Sequence, residues 1–268
     1  MMWAGLSRLL RVRVTAIYGS ILLCVNITLP ALGPVMQDRV FRNASTNLHN
    51  LSHGHLGTLL LSAFVVDAGA IALWLPALLC LLGLAELLWR SARLVVALAV
   101  GHVGATVLVA AGLAAAVSWG WTPATVTRAI DVGMSYGAVA VLGALTAAIP
   151  QHWRPAWIAW WVAVGITVVA VARDFTDVGH FVALTLGMLV ATRFGVPRRW
   201  TGVRVALLCV AASFGFMVIA NSAVEMLLAA PCGVAAVVMV EAAIRLRRYS
   251  EDGNRAGQQP RVDVGQCV

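Results

Sequence analysis

At 268 residues the chain is long enough for one large or two ordinary soluble domains, but 61% hydrophobic and only 11% charged residues is not a composition that folds in water. At about 20 residues per spanning helix the apolar residues suffice for roughly six to eight membrane spans, which excludes a separate globular enzyme domain. The formal net charge of +8 resides in arginines that punctuate apolar runs instead of forming a basic surface, a topology pattern that argues against nucleic-acid binding.

In chain order, Arg8, Arg11 and Arg13 precede an apolar run that continues past the length of a cleavable leader without a small-residue cleavage pattern, so residues 14–36 are expected to form a retained first span. Residues 37–67 open with polar side chains and turn apolar from Leu56 to Val66, which predicts a long loop ending in an interfacial segment. Further spans are expected at 68–89, 94–117, 131–149, 156–173, 177–194, 203–221 and 224–244. Asn221, Ser222 and Glu225 interrupt the last apolar stretch, leaving a choice between two spans and one kinked helix. The polar residues 250–268 are expected to form a disordered tail. With a cytoplasmic N-terminus, 15 of the 19 arginines fall in loops on the cytoplasmic side, as the positive-inside rule requires of a correctly counted set of helices.

Basic residues are exclusively arginine, which reads as the codon bias of a GC-rich genome. Five cysteines, four of them inside apolar stretches and none in a CxxC pair, imply neither a disulfide framework nor a zinc site. His49 and His53 would share a helical face with His55 nearby, but no acidic residue or cysteine accompanies them, so no metal or cofactor is expected.

Ionisable groups inside spans are costly and mark functional hypotheses. Glu86 is expected to pair with Arg90 across one helical turn, Asp67 to cap a helix, and Glu225 to be solvated or capping. His102 is expected to have a structural or gating role. The informative pair is Ser135 and His180, at similar depth from the same side of the membrane. A serine needs an imidazole within reach to take its proton. Gly133 and Gly137, and Ala183 and Gly187 after His180, supply small-residue faces that bring helices close. The alternative reading of each is compositional, since an Ala/Gly-rich chain generates such spacings and a membrane serine or histidine is often hydrogen-bonded inside the bundle.

At these residues the sequence resembles the rhomboid family of intramembrane serine proteases. The matching strings are Gly133-Met134-Ser135, His180 through Ala183 to Gly187, and Glu86 followed by Arg90-Ser91. The resemblance implies an all-α, polytopic helical bundle with a six-helix core over residues 14–194 and one or two further spans over 195–249. It also implies a Ser135 nucleophile, a His180 base, and transmembrane protein substrates. Tyr136 replaces the glycine that usually follows the serine, and Ala183 replaces the first glycine after the histidine. The oxyanion-stabilising His and Asn of the second helix are not matched: one register gives Ala70 and Trp74, another His55 and Leu59. Gly133, Tyr136 and His102 are the candidates to line the site or supply oxyanion contacts.

Three readings follow: a protease, a catalytically silent rhomboid-like protein that binds or chaperones transmembrane partners, and a small-solute transporter or channel using intramembrane Asp, Glu and His, for which flux would depend on Asp131 or Glu225. The expected location is a bacterial cell membrane, with multiple passes through the lipid bilayer and both termini cytoplasmic.

Overall fold

A computed structural model describes residues 11–66, 71–196 and 200–258. Among them no strand occurs. Helix α1 (Arg13–Ala31) stops before the expected position 36, because Gly33 takes a left-handed φ of 79° and Pro34 starts a new helix, α2 (Pro34–Ala44). Two short helices, α3 (Leu48–Ser52) and α4 (Thr58–Leu61), complete the long loop, where Leu56, Leu60 and Leu61 remain exposed. Asp67 and Ala70 lie outside the described residues.

The helical run Ile71–Ala99 breaks at Arg90 (φ 70°, ψ 167°), giving α5 over 71–89 and α6 from 91, which passes through a π-helical turn at Val100–Gly104 into Ala105–Ser118. Helix α7 (Ser135–Ala144) continues as a 3₁₀ turn, Leu145–Ala147. Then follow α8 (Arg154–Ala172), α9 (Phe175–Ala191), α10 (Gly202–Ile219) and α11 (Ala223–Gln258). The last of these carries helix beyond Ser250, into the stretch expected to be disordered. Among the described residues, five helical stretches are long and apolar enough to cross a membrane; one of them is the pair divided at Arg90, and α7 and α9 are shorter apolar helices. The chain is therefore a multi-pass integral membrane protein with an all-α bundle fold.

Helix α7 is the axis of the bundle, with Tyr136 through Ala144 all buried. It packs between α6 and α9, and α10 also leans on it. Glycine makes these approaches possible. A methyl group at Gly101 would overlap Ala140, one at Gly143 would overlap the backbone of Leu184, and one at Gly187 would overlap the backbone of Ala140. Gly137 faces Leu98 and His102 on α6 instead of α9, and Gly133 precedes the helix altogether, with φ at 139°. The expected Gly133–Gly137 packing face is thus not formed.

Helices α10 and α11 are separate, and the break is built as a capping box. Ser222 Oγ accepts from the Glu225 amide at 3.2 Å, while the Glu225 carboxylate accepts from the Asn221 and Ser222 amides at 2.8 and 3.3 Å. Glu225 is a cap, as expected, but a buried one. The two helices diverge: α10 lies against α5 and α7, and α11 against α8.

Glu86 departs from expectation. It is buried, and it accepts from the amides of Val14 (3.0 Å) and Thr15 (2.8 Å) and the hydroxyls of Thr15 (2.7 Å) and Ser91 (2.6 Å). It fastens the N-terminus of α1 to α5, where free amides and the helix dipole favour a carboxylate. The pair with Arg90 does not form, because the helix that would set their spacing ends at Arg90.

Candidate active site

The recess that holds Ser135 follows from the length of α7. Its helical residues and the 3₁₀ turn number 10 and 3, or about 20 Å at 1.5 Å per residue, roughly 10 Å short of a hydrocarbon core of about 30 Å. The far end of α7 is held near Arg154, whose guanidinium donates to the carbonyls of Ala147 and Ile149, each at 3.1 Å. Ser135, the first residue of α7, is therefore set below the opposite face. Asp131 lies in the loop above it and not in the span expected from 131.

Loop residues distant in sequence close round this helix start. The Ser45 hydroxyl accepts from the Asp131 amide at 2.8 Å, the Thr46 amide donates to the Asp131 carbonyl at 3.0 Å, and the Gly133 amide donates to the Ser62 carbonyl at 2.9 Å. The Ser62 hydroxyl sits 2.7 Å from that of Thr46 and 3.0 Å from Nε2 of His102. His102 occupies the π-helical turn of α6 and packs beside Gly137. Its polar contact is thus with the long loop. Burial, and secondarily the nearby Asp174, pushes the half-buried Asp131 carboxyl up to about 6.

Opposite Ser135, α9 begins with Asp174 as N-cap, accepting from the Thr176 amide at 3.5 Å. His180 is buried one turn further on, with Nδ1 3.8 Å from Oδ1 of Asp177. Asp177 is itself buried and accepts from the side-chain amide of Asn221 at 3.4 Å. Tyr136, next to Ser135, meets the His180 ring edge to face, with centroids 5.4 Å apart and planes at 81°. It has room because position 179 is glycine: a methyl group there would overlap the end of the phenol ring. Both His180 ring nitrogens lack a hydrogen-bond partner. Ser135 and His180 are therefore on helices that pack together, without a hydrogen bond between them, and the imidazole meets the Tyr136 ring on one side and the Asp177 carboxylate near Nδ1.

The remaining candidates are placed elsewhere. Ala183 and Gly187 lie on the buried face of α9, with Gly187 against Ala140. Trp74 on α5 is near α10, its ring nitrogen buried without a partner. The His49 and His53 rings lie tilted at 51° with centroids 4.3 Å apart, and His53 Nδ1 lies 2.7 Å from the His49 carbonyl oxygen. Among the described residues no group of three or more His, Cys, Asp or Glu converges as a metal site. Sequence reading missed Ser45, Thr46 and Ser62, which had no signal beyond loop polarity, and it took Asn221 only as an interruption of an apolar stretch.

Comparison with known proteins gives one finding. A family model described as rhomboid-like protein matches residues 9–194, while no curated protein and no solved structure matches. The matched segment contains α1 to α9 and every residue described round the recess except Asn221. The chain belongs to the rhomboid-like family.

Proposed function

We propose that this chain is an intramembrane serine endopeptidase whose core, residues 14–194, hydrolyses peptide bonds in or beside transmembrane segments of other proteins. The observation that carries this reading is the seating of His180 against Tyr136, directly beside Ser135 at the recessed start of α7. A shift of the Tyr136 ring would let Ser135 Oγ approach His180 Nε2, and catalytic hydrogen bonds commonly tighten only when substrate is bound. Ser135 then attacks the scissile carbonyl, and His180 takes its proton and returns it to the leaving amine; a water deprotonated by His180 next attacks the acyl-serine ester, releasing the carboxylic acid and restoring the Ser135 hydroxyl. Asp177, beside Nδ1, orients the imidazole and stabilises its charged form, and Asn221 holds Asp177.

The oxyanion contacts have to come from this chain's own groups. The Gly133 amide is already bonded to Ser62, and His102 is engaged with the same serine. The first-turn amides of α7 carry no side-chain cap, so they are the donors available to a developing oxyanion. The cell membrane of a bacterium, with both termini cytoplasmic, is the proposed location, in line with the distribution of arginines.

The test is labelling of the full-length protein in detergent and in lipid with a serine-directed fluorophosphonate. Labelling of the parent, lost in Ser135→Ala and His180→Ala variants that still fold, is the expected result. A second reading, a silent rhomboid-like protein that binds transmembrane partners, is favoured by the missing Ser135–His180 hydrogen bond. A folded parent that stays unlabelled in lipid supports it and overturns the first.

A further inference from the structure

The end of the bundle opposite the recess holds a cavity of about 510 Å³ that the proposed chemistry does not use. Arg11 and Arg13 approach it from the start of α1, Arg90 and Ser91 from the break between α5 and α6, and Arg204 from the first turn of α10. Glu86 also lines it, so four guanidiniums face one carboxylate. That carboxylate is already surrounded by the neutral donors Val14, Thr15 and Ser91. Arg13 Nε donates to the Ser91 hydroxyl at 3.2 Å and Arg204 to the Leu87 carbonyl at 3.4 Å. Among the described residues, Arg11, Arg13 and Arg90 form no ion pair.

The positive-inside bias places arginines at this end of a helical bundle, but it does not bring three separate elements round one concavity. Nor does it account for Arg90. At φ 70° and ψ 167° its backbone lies in a region that is essentially glycine's, and a residue with a side chain persists there only where its surroundings hold it. Like charges gathered in a partly enclosed space repel unless an anion joins them, and guanidiniums match phosphate oxygens in geometry as well as charge. Arg13, Arg90 and Arg204 each stand at or within one turn of the end of a spanning helix, the depth at which lipid headgroups begin.

We propose that this cavity binds a phosphate-bearing anion, supplied by the headgroup of an acidic lipid or by phosphate in solution. The test uses full-length protein in a neutral detergent. Retention of dioleoyl phosphatidylglycerol is counted by native mass spectrometry, and inorganic phosphate serves as competitor. One lipid per chain is expected, held at least tenfold more weakly by Arg13→Gln and Arg90→Gly and unchanged in Arg245→Gln. The Arg90→Gly variant suits the position's backbone, so its lipid-free melting temperature should equal or exceed that of the parent, and lost binding is then not lost folding. Lipid retained in the presence of millimolar phosphate identifies the headgroup as the source; displacement by phosphate, with phosphate binding to the parent alone, identifies the soluble anion. Undiminished retention in Arg90→Gly and Arg13→Gln, or an equal loss in Arg245→Gln, overturns the proposal.

Discussion

The phenol ring of Tyr136 lies over Gly179, with no room between them for a methyl group. The obstructing atoms are the far end of a side chain that can swing, so Gly179→Ala should cost only about 1–2 kcal/mol of stability. It should nevertheless move the ring that packs on His180. Fluorophosphonate labelling of this variant is expected to change severalfold while its melting temperature falls by only a few degrees. Unchanged labelling would detach Tyr136 from the site.

Gly187 makes the instructive contrast, because the atoms in its way are backbone atoms of Ala140, which no rotamer change can clear. Gly187→Ala must separate α7 from α9 or fail to fold, at a cost of about 3 kcal/mol or more. Thermal unfolding in detergent, read beside Gly179→Ala, should rank the two in that order.

Asp177 and His180 provide a test of positioning. Asp177→Asn keeps the shape and an acceptor for Asn221 but removes the charge beside Nδ1. The expected outcome is a ten- to hundredfold fall in kcat on a transmembrane substrate, with KM little changed and the fold intact. A change confined to KM or to stability would assign Asp177 to packing alone.

Glu86 should govern stability at the opposite end. Removing a buried carboxylate that takes four hydrogen bonds is expected to cost about 3 kcal/mol in Glu86→Ala, with Glu86→Gln intermediate because one oxygen acceptor survives. Melting temperatures of the three proteins check the order.

Asp131 gives the pH dependence. Its carboxyl rises from an ordinary 3.8 to about 6 in the fold, so the folded state holds its proton more tightly than the unfolded chain. The stability this contributes is complete below about pH 4 and is lost as pH rises through about 6. Melting temperature should decline across that window in the parent, and Asp131→Asn should flatten that decline.

The apolar segments were legible because each is a long apolar run bounded by polar residues, and the capping role of Glu225 is written in the local Ser222–Glu225 spacing. What escaped were departures from local rules. The i,i+4 spacing of Glu86 and Arg90 presumes a continuous helix, and the chain breaks at Arg90. Gly133 and Gly137 presume one helix, and the helix starts between them. The partner of His102 is Ser62, 40 residues away in sequence, and nothing in the spacing of either residue announces the other. Ser135 and His180 were legible as residues of two helices that pack together, whereas the contact of Tyr136 with His180 depends on the bare backbone at Gly179.

Helix α10 lies outside the family match, yet it touches α5, α7 and, more lightly, α8. In its second half Gly215 admits Leu142 of the buried axis, and at its centre Ala211 is fully enclosed. The helix works as a wedge between α5 and α8. Shortening the protein to residues 9–194 would therefore strip away packing partners of both α5 and α7, along with an appended helix, and would leave the apolar side of α7 that receives Gly215 open to lipid.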